Sequence, residues 1–202
     1  MIEVVKFLSN PMGENAYIFF LEGEKRAVAV DPSYNAQAML NYLKEEETQL
    51  EAILLTHGHF DHIAGVDVLR EATGAPVYIH EADAQMLEDP EKNLSVITHQ
   101  LFTIKPADRL LKGQEVLELA GMQVQVLHTP GHTQGGVCYL AEDVLFSGDT
   151  LFSMSIGRTD LPGSNEEQMK ASLAKLCALE REYVVYPGHG QSTSLGFEVQ
   201  NN

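Results

Sequence analysis

Two periodicities alternate along this chain of 202 residues. Short runs rich in β-branched, aromatic and leucyl side chains, such as IEVVKFL at 2–8, read as strands. On that reading strands occupy residues 2–8, 17–21, 27–31, 52–56, 77–80, 122–128, 136–140, 144–147 and 183–186. Longer segments with apolar residues three and four apart read as amphipathic helices at 35–46, 63–72, 81–87 and 166–179. Asn35 is placed to cap the first helix, and Ser164 or Asn165 the last. Early strands are expected to form hairpins and later ones to alternate with helices. That mixture predicts mixed sheets with helices packed outside, rather than a doubly wound parallel sheet. No linker, low-complexity tract or short repeat interrupts the pattern, so one domain over 1–202 is expected.

A second regularity overlies the first. Four apolar runs each enter a turn carrying glycine together with His or Asp: ILLTHGHFDH (53–62), VQVLHTPGHT (124–133), VLFSGDT (144–150) and YVVYPGHG (183–190). Glycine lets the backbone turn sharply and aim a neighbouring side chain. If the four strand ends share one edge, His57, His59, Asp61, His62, His132, Asp149 and His189 converge there. The i, i+2 spacing of His57 and His59 cannot place both on one helix face, so they need a loop. Imidazole and carboxylate without thiolate suit zinc, iron or manganese. Seven such groups are too many for one ion and suit two ions sharing a carboxylate. A lone histidine at a strand end is ordinarily a hydrogen-bonded structural residue, and His80, His99 and His128 are read that way. Three histidines and an aspartate within six positions make no sense as core.

Composition narrows the picture. Hydrophobic residues form 44% and charged residues 21% of the chain, an ordinary soluble balance. No apolar run approaches the roughly 18 residues that span a bilayer, and the start lacks a signal-peptide layout. Cys138 and Cys177 form no CxxC pair and read as buried thiols of a reducing compartment, so a cytoplasmic protein is expected. The formal net charge is −16, from 29 acidic and 13 basic residues. Such a surface repels a phosphate backbone, which argues against nucleic acid and for a small-molecule substrate. A monomer or homodimer, away from membranes, is expected.

HGHFDH, TPGHT, SGDT and PGHG, in this order, resemble the metallo-β-lactamase-fold hydrolases from near Tyr17 to Gly190. The resemblance implies an α+β, four-layer αβ/βα sandwich, two mixed sheets with helices outside, and a site at one edge. By motif position it implies one metal on His57, His59 and His132 and a second on Asp61, His62 and His189, with Asp149 bridging. Within the family, SGDTLFSMSIGRTDLPGS (147–164) is similar to glyoxalase II and its short relatives, here a short form without the C-terminal helical domain. β-Lactamases of the family lack an aspartate matching Asp149, which sets antibiotic hydrolysis aside. Flavin-linked relatives carry glutamate in place of His59, and RNA-cleaving ones carry large insertions or basic arms. The implied activity is hydrolysis of an S-acyl thioester such as S-D-lactoylglutathione. It would use two divalent ions, zinc first and iron or manganese as alternatives, with Asp61 orienting the nucleophile. Arg158 stands where the family has a glutathione-binding lysine, and its planar fork suits a substrate carboxylate. The alternative for Arg158 is a pair with Asp160 that only fixes the loop. GRTD (157–160) is also shared with persulfide dioxygenases, so an iron-dependent dioxygenase, or a lactonase, is the rival activity. A metal-binding domain without catalysis is opposed by the presence of all seven ligands.

Overall fold

Alternate residues of the central strands serve two different apolar layers, and this fixes the architecture. In the strand Asn15–Leu21, Tyr17 and Phe19 enter one core while Ala16 and Ile18 enter another, all four buried. A strand buried on both faces needs a cover on each side. The computed structural model describes residues 1–8, 13–98 and 101–202, so His99 lies outside the described residues.

The first sheet contains, in spatial order, β1 (Ile2–Leu8), β2 (Asn15–Leu21), β3 (Arg26–Val30), β4 (Gln49–Leu54), β5 (Val77–His80) and β6 (Arg109–Leu111). β1 to β3 are antiparallel neighbours, as expected of hairpins. β3 to β6 are parallel, because helical crossovers return each strand in the same direction. Those crossovers carry α1 (Ala36–Glu45), α2 (Phe60–Ile63) and α3 (Val66–Thr73). The second sheet begins as an antiparallel meander of β7 (Val116–Leu119), β8 (Met122–His128), β9 (Val137–Ala141) and β10 (Val144–Gly148). A small hairpin, β11 (Leu151–Phe152) with β12 (Ser155–Ile156), then leads to α4 (Glu166–Cys177). β13 (Val184–Pro187) pairs parallel with β10, and β14 (Thr193–Ser194) closes that edge before α5 (Leu195–Asn201).

Three apolar layers hold these elements together. Between the sheets lie Tyr17, Phe19, Val28, Leu54, Val126, Tyr139 and Phe146, with the Phe19 and Phe146 rings 4.7 Å apart. Outside the first sheet, Met39 and Leu43 of α1 and Leu69 of α3 cover Ile18, Ala29 and Ile53. Outside the second, Leu176 of α4 and Leu195 of α5 cover Leu127, Cys138 and Val185. The result is the expected four-layer sandwich of two mixed sheets with helices outside.

Several local expectations are corrected. The helix expected at 63–72 is broken at Gly65, where an added Cβ would lie 2.1 Å from the Ser33 carbonyl oxygen. The segment expected as a helix at 81–87 is a 3₁₀ helix, Glu81–Glu88, opened by His80 Nδ1 accepting from Ala82 N. Strand–helix alternation falls in the first half of the chain, and most of the second sheet is a meander. Asn165 rather than Ser164 caps α4, its Oδ1 accepting from Gln168 N at 2.9 Å. Asn35 precedes α1 without a side-chain cap and donates instead to Phe7 O. Cys138 is buried as expected, but Cys177 is exposed, and both are free. β6, β7, β11, β12, β14 and α5 were not anticipated, being short or largely exposed. Among the described residues, no helix is long and apolar enough to cross a membrane.

Phe146 is fully buried where the two sheets meet. Phe146→Ala should lower unfolding free energy by about 3–5 kcal/mol through lost burial and the cavity left behind. Denaturant unfolding of both proteins under identical metal conditions checks this, and a loss below about 1 kcal/mol would mean that the inter-sheet layer is not the main core.

Candidate metal centre

The four glycine turns do meet at one edge of the sandwich. His57, His59, Asp61 and His62 follow β4 of the first sheet. His132, Asp149 and His189 follow β8, β10 and β13 of the second. Both sheets therefore contribute to one cluster. The PGHG turn needs its first glycine for room: a Cβ at Gly188 would lie 2.1 Å from Asp149 Oδ1.

Three groups of side chains bring candidate ligand atoms together, and one of them, Asp31, His57 and His62, links the other two. His57, His59 and His132 form one buried group, and Asp61, His62 and His189 another, each with candidate ligand atoms within 4.8 Å of one another. His59 Nδ1 is 3.0 Å from His132 Nε2. His62 Nε2 and His189 Nε2 are 3.4 Å apart, and His189 Nε2 is 3.4 Å from Asp61 Oδ2. Asp149 stands between the groups. Its Oδ1 is 3.4 Å from His62 Nε2, while Oδ2 is 3.4 Å from His132 Nε2 and 3.6 Å from His189 Nε2.

These separations fit ligands better than ordinary hydrogen bonds. Two atoms each about 2.0–2.1 Å from a tetrahedral ion lie about 3.3 Å apart. Buried His57 Nε2 and Asp149 Oδ1 lack hydrogen-bond partners among the described residues. Leaving such atoms unsatisfied is costly, and a divalent ion would satisfy them together. Nitrogen and carboxylate donors without sulfur are a suitable set.

The outward sides of the imidazoles are anchored. His62 Nδ1 lies 2.9 Å from Asp31 Oδ2. Thr56 donates its hydroxyl to Asp31 Oδ2 at 2.6 Å and its N–H to Oδ1 at 2.8 Å. With that hydroxyl proton committed, Thr56 Oγ1 can accept from His57 Nδ1 at 3.1 Å. His132 Nδ1 donates to Arg158 O at 2.9 Å. In all three rings, bonding at Nδ1 leaves the Nε2 lone pair turned inward. Asp31 was missed from the sequence. The available signal was a carboxylate ending the apolar run AVAV (27–30), and the structure gives it a positive φ of 45° while burying it.

Charge divides the cluster. Burial, together with neighbouring imidazoles, holds His57 well below its ordinary pKa and lowers that of His59 to about 3, so both are neutral near pH 7. Burial also disfavours a proton on His62, but Asp149, Asp61 and Asp31 outweigh it and raise the pKa to about 10. For His189 burial is likewise outweighed, chiefly by the Asp61 hydrogen bond, and the pKa rises. Asp61 is pushed up by its burial, yet His62 and His189 hold it well below the carboxylate range.

The remaining expected residues fall outside this cluster. The Arg158 guanidinium is forked onto Asp160, with Nε to Oδ1 at 2.9 Å and Nη2 to Oδ2 at 3.0 Å, both side chains exposed. That is the loop-fixing alternative, and Arg158 reaches the cluster through its backbone oxygen. His80 and His128 stack with ring centroids 4.2 Å apart and interplanar angle 11°, away from the ligand groups.

A two-sheet sandwich with such a cluster at the strand ends defines a metal-dependent hydrolase. The chain belongs to the metallo-beta-lactamase superfamily, whose family model matches residues 11–189. A probable metallo-hydrolase of Streptococcus pyogenes is 37% identical, over 100% of this chain and 90% of that protein. A more distant relative, the hydroxyacylglutathione hydrolase GloC of Haemophilus influenzae, is 32% identical over 90% of this chain and 88% of its own. Among solved structures, the B3 metallo-beta-lactamase BLEG-1 superimposes with a TM-score of 0.94 at 41% identity, covering 99% of this chain and 98% of that one. TTHA1623 in a di-iron-bound form gives 0.83 at 38% identity, covering 98% of each chain.

The unequal charge states make a prediction about metal uptake. Near pH 7.5, His62 must give up a proton to become a ligand, because its pKa stands at about 10, whereas His57 and His59 are already neutral. Zinc titration of metal-stripped protein should therefore show one binding phase with net proton release that fades as pH approaches about 10. Calorimetry in two buffers of different ionisation enthalpy measures it. Two phases with no buffer dependence would contradict the assignment of charge.

Proposed function

We propose that this protein hydrolyses the thioester of a small S-acyl thiol, using two divalent metal ions held by the seven clustered side chains. The observation that carries this reading is Asp149, one carboxylate within reach of both groups, with Oδ1 3.4 Å from His62 Nε2 and Oδ2 3.4 Å from His132 Nε2 and 3.6 Å from His189 Nε2. His57, His59 and His132 would hold one ion, Asp61, His62 and His189 the other, and Asp149 both. Zinc suits this donor set, with iron or manganese as alternatives. The chemistry that such ions supply is acidification of water and polarisation of a carbonyl oxygen.

The chain's own groups account for the rest. Asp61, held ionised by His62 and His189, can accept a hydrogen bond from the attacking water and orient it. Asp31 and the Arg158 carbonyl fix the rings of His62 and His132 from behind. Phe152 stands edge-on to His189, with ring centroids 6.1 Å apart. A thiol with a pKa of about 8.5 leaves as the thiolate, so no strong acid is required of the protein. The likeness to GloC supports a thioester, and the charge of −16 supports a small substrate over a polyanion.

A second substrate class has its own support. β-Lactams are candidates despite Asp149, because the chain is 41% identical to a protein named a B3 metallo-beta-lactamase. The GRTD stretch keeps a persulfide in view as well.

One panel separates these readings: lactoylglutathione and other thioesters, a lactone, a β-lactam, and glutathione persulfide with oxygen uptake recorded. The thioesters should give the highest kcat/KM without oxygen consumption. Preferred turnover of the β-lactam, or oxygen uptake with the persulfide, would overturn the proposal. Asp149→Ala should bind fewer ions than wild type and lose hydrolysis with them. One tightly bound ion in wild type, unchanged in Asp149→Ala, would sink the two-ion reading.

A further inference from the structure

Asp83 is remote in sequence from all four glycine turns, yet its carboxylate joins two of them. Oδ2 accepts from Gly58 N at 3.2 Å and from Thr133 Oγ1 at 2.7 Å, while Oδ1 accepts from Gly135 N at 2.7 Å. Gly58 separates His57 from His59, and Thr133 follows His132. The three donors thus belong to the two loops that carry the all-histidine group, one from each sheet. Asp83 is 1% exposed, so few other partners compete for its oxygens.

Steric fit points the same way. A Cβ at Gly135 would lie 2.6 Å from Asp83 Cγ, and one at Gly58 would lie 2.6 Å from Met86 Cβ. Both loops therefore carry glycine where the 3₁₀ helix Glu81–Glu88 presses against them. His80 Nδ1, accepting from Ala82 N at 3.2 Å, fixes the start of that helix. A buried carboxylate costs free energy unless its hydrogen bonds are made, so displacing either loop leaves an unsatisfied charge or acceptor.

We propose that Asp83 is a positioning residue that sets the distance between the His57–His59 loop and His132, and so tunes one metal site of the pair selectively. It touches none of the ligands and acts only through backbone N–H groups and one hydroxyl. The Asp61, His62 and His189 group receives no bond from it. This rests on the two-ion reading above, and the test distinguishes the failure of either.

Wild type, Asp83→Ala, Thr133→Val and Thr133→Ser are loaded with metal and dialysed against a graded chelator series. Ions per chain are counted, and the visible absorption of cobalt-substituted protein is recorded. Asp83→Ala should weaken one of the two ions roughly 10- to 100-fold and change one cobalt signature, leaving the other ion in place. Thr133→Val should act in the same direction with smaller effect, and Thr133→Ser should restore wild-type retention by keeping the hydroxyl. Equal weakening of both ions, or a lower Tm with both affinities intact, would overturn the proposal in favour of a general structural role. If Asp83→Ala does not fold, the Thr133→Val and Thr133→Ser pair decides by the same criterion. Wild type holding fewer than two ions overturns the two-ion reading, and this proposal with it.

Discussion

Five imidazole rings are packed at the sheet edge, with neighbouring centroids 4.2–5.3 Å apart. At such distances, in a buried setting, a proton on one ring makes a proton on the next more costly. Three carboxylates, Asp31, Asp61 and Asp149, offset this most strongly around His62, which all three approach. The outcome is a cluster split into a neutral half, with His57 and His59, and a half where the carboxylates favour a proton, on His62 most of all and on His189 in the same direction. Divalent ions would replace such protons with stronger charges and satisfy the unpartnered His57 Nε2. Metal affinity and the cost of keeping the metal-free site are therefore one electrostatic problem.

Holding such a cluster requires both sheets to be locked in register, and the locks are reciprocal. Tyr17 of the first sheet donates its hydroxyl to Pro187 O, in the PGHG turn of the second, at 2.6 Å. Tyr139 of the second donates to Leu55 O, just before the HGHFDH loop of the first, at 2.7 Å. Val137 N donates to Thr56 O at 2.9 Å, and Asn15 N to Gly188 O at 2.7 Å. Each tyrosine contributes its ring to the inter-sheet core and its hydroxyl to the backbone of a ligand loop. Burial of those rings leaves the hydroxyls with few alternative partners, so core packing and loop position are coupled.

Much of this was legible in the sequence because it lies in local patterns. A polar cluster such as HGHFDH following an apolar strand cannot be core, and its repetition at four strand ends implied a shared edge. Other features depend on distance in space, to which a sequence pattern is blind. Asp31 is one residue at a strand end, and its bonds to Thr56 and His62 exist only once β3 and β4 lie side by side. The break at Gly65 follows from the approach of Ser33, 32 positions earlier. Periodicity at 63–72 was amphipathic as expected, but the close backbone approach overrode it. β6 and β14, with three and two residues, are too short to show a period of two.

Chemistry and substrate are specified by different parts of the molecule. Relatives of this chain bear names as different as hydroxyacylglutathione hydrolase and B3 metallo-beta-lactamase, so shared ancestry and a common fold do not by themselves choose the substrate. Selection has to come from side chains around the ligand groups. Here the most obvious cationic candidate, Arg158, is engaged by Asp160 in a two-point pair on an exposed loop. An exposed pair of this kind is worth little, so a substrate carboxylate could compete for the guanidinium at modest cost. Phe152, by contrast, sits edge-on to His189 and offers ring surface that needs no exchange of partners. The surroundings of the ligand groups thus combine a fixed aromatic ring beside His189 with a cation already held by a carboxylate.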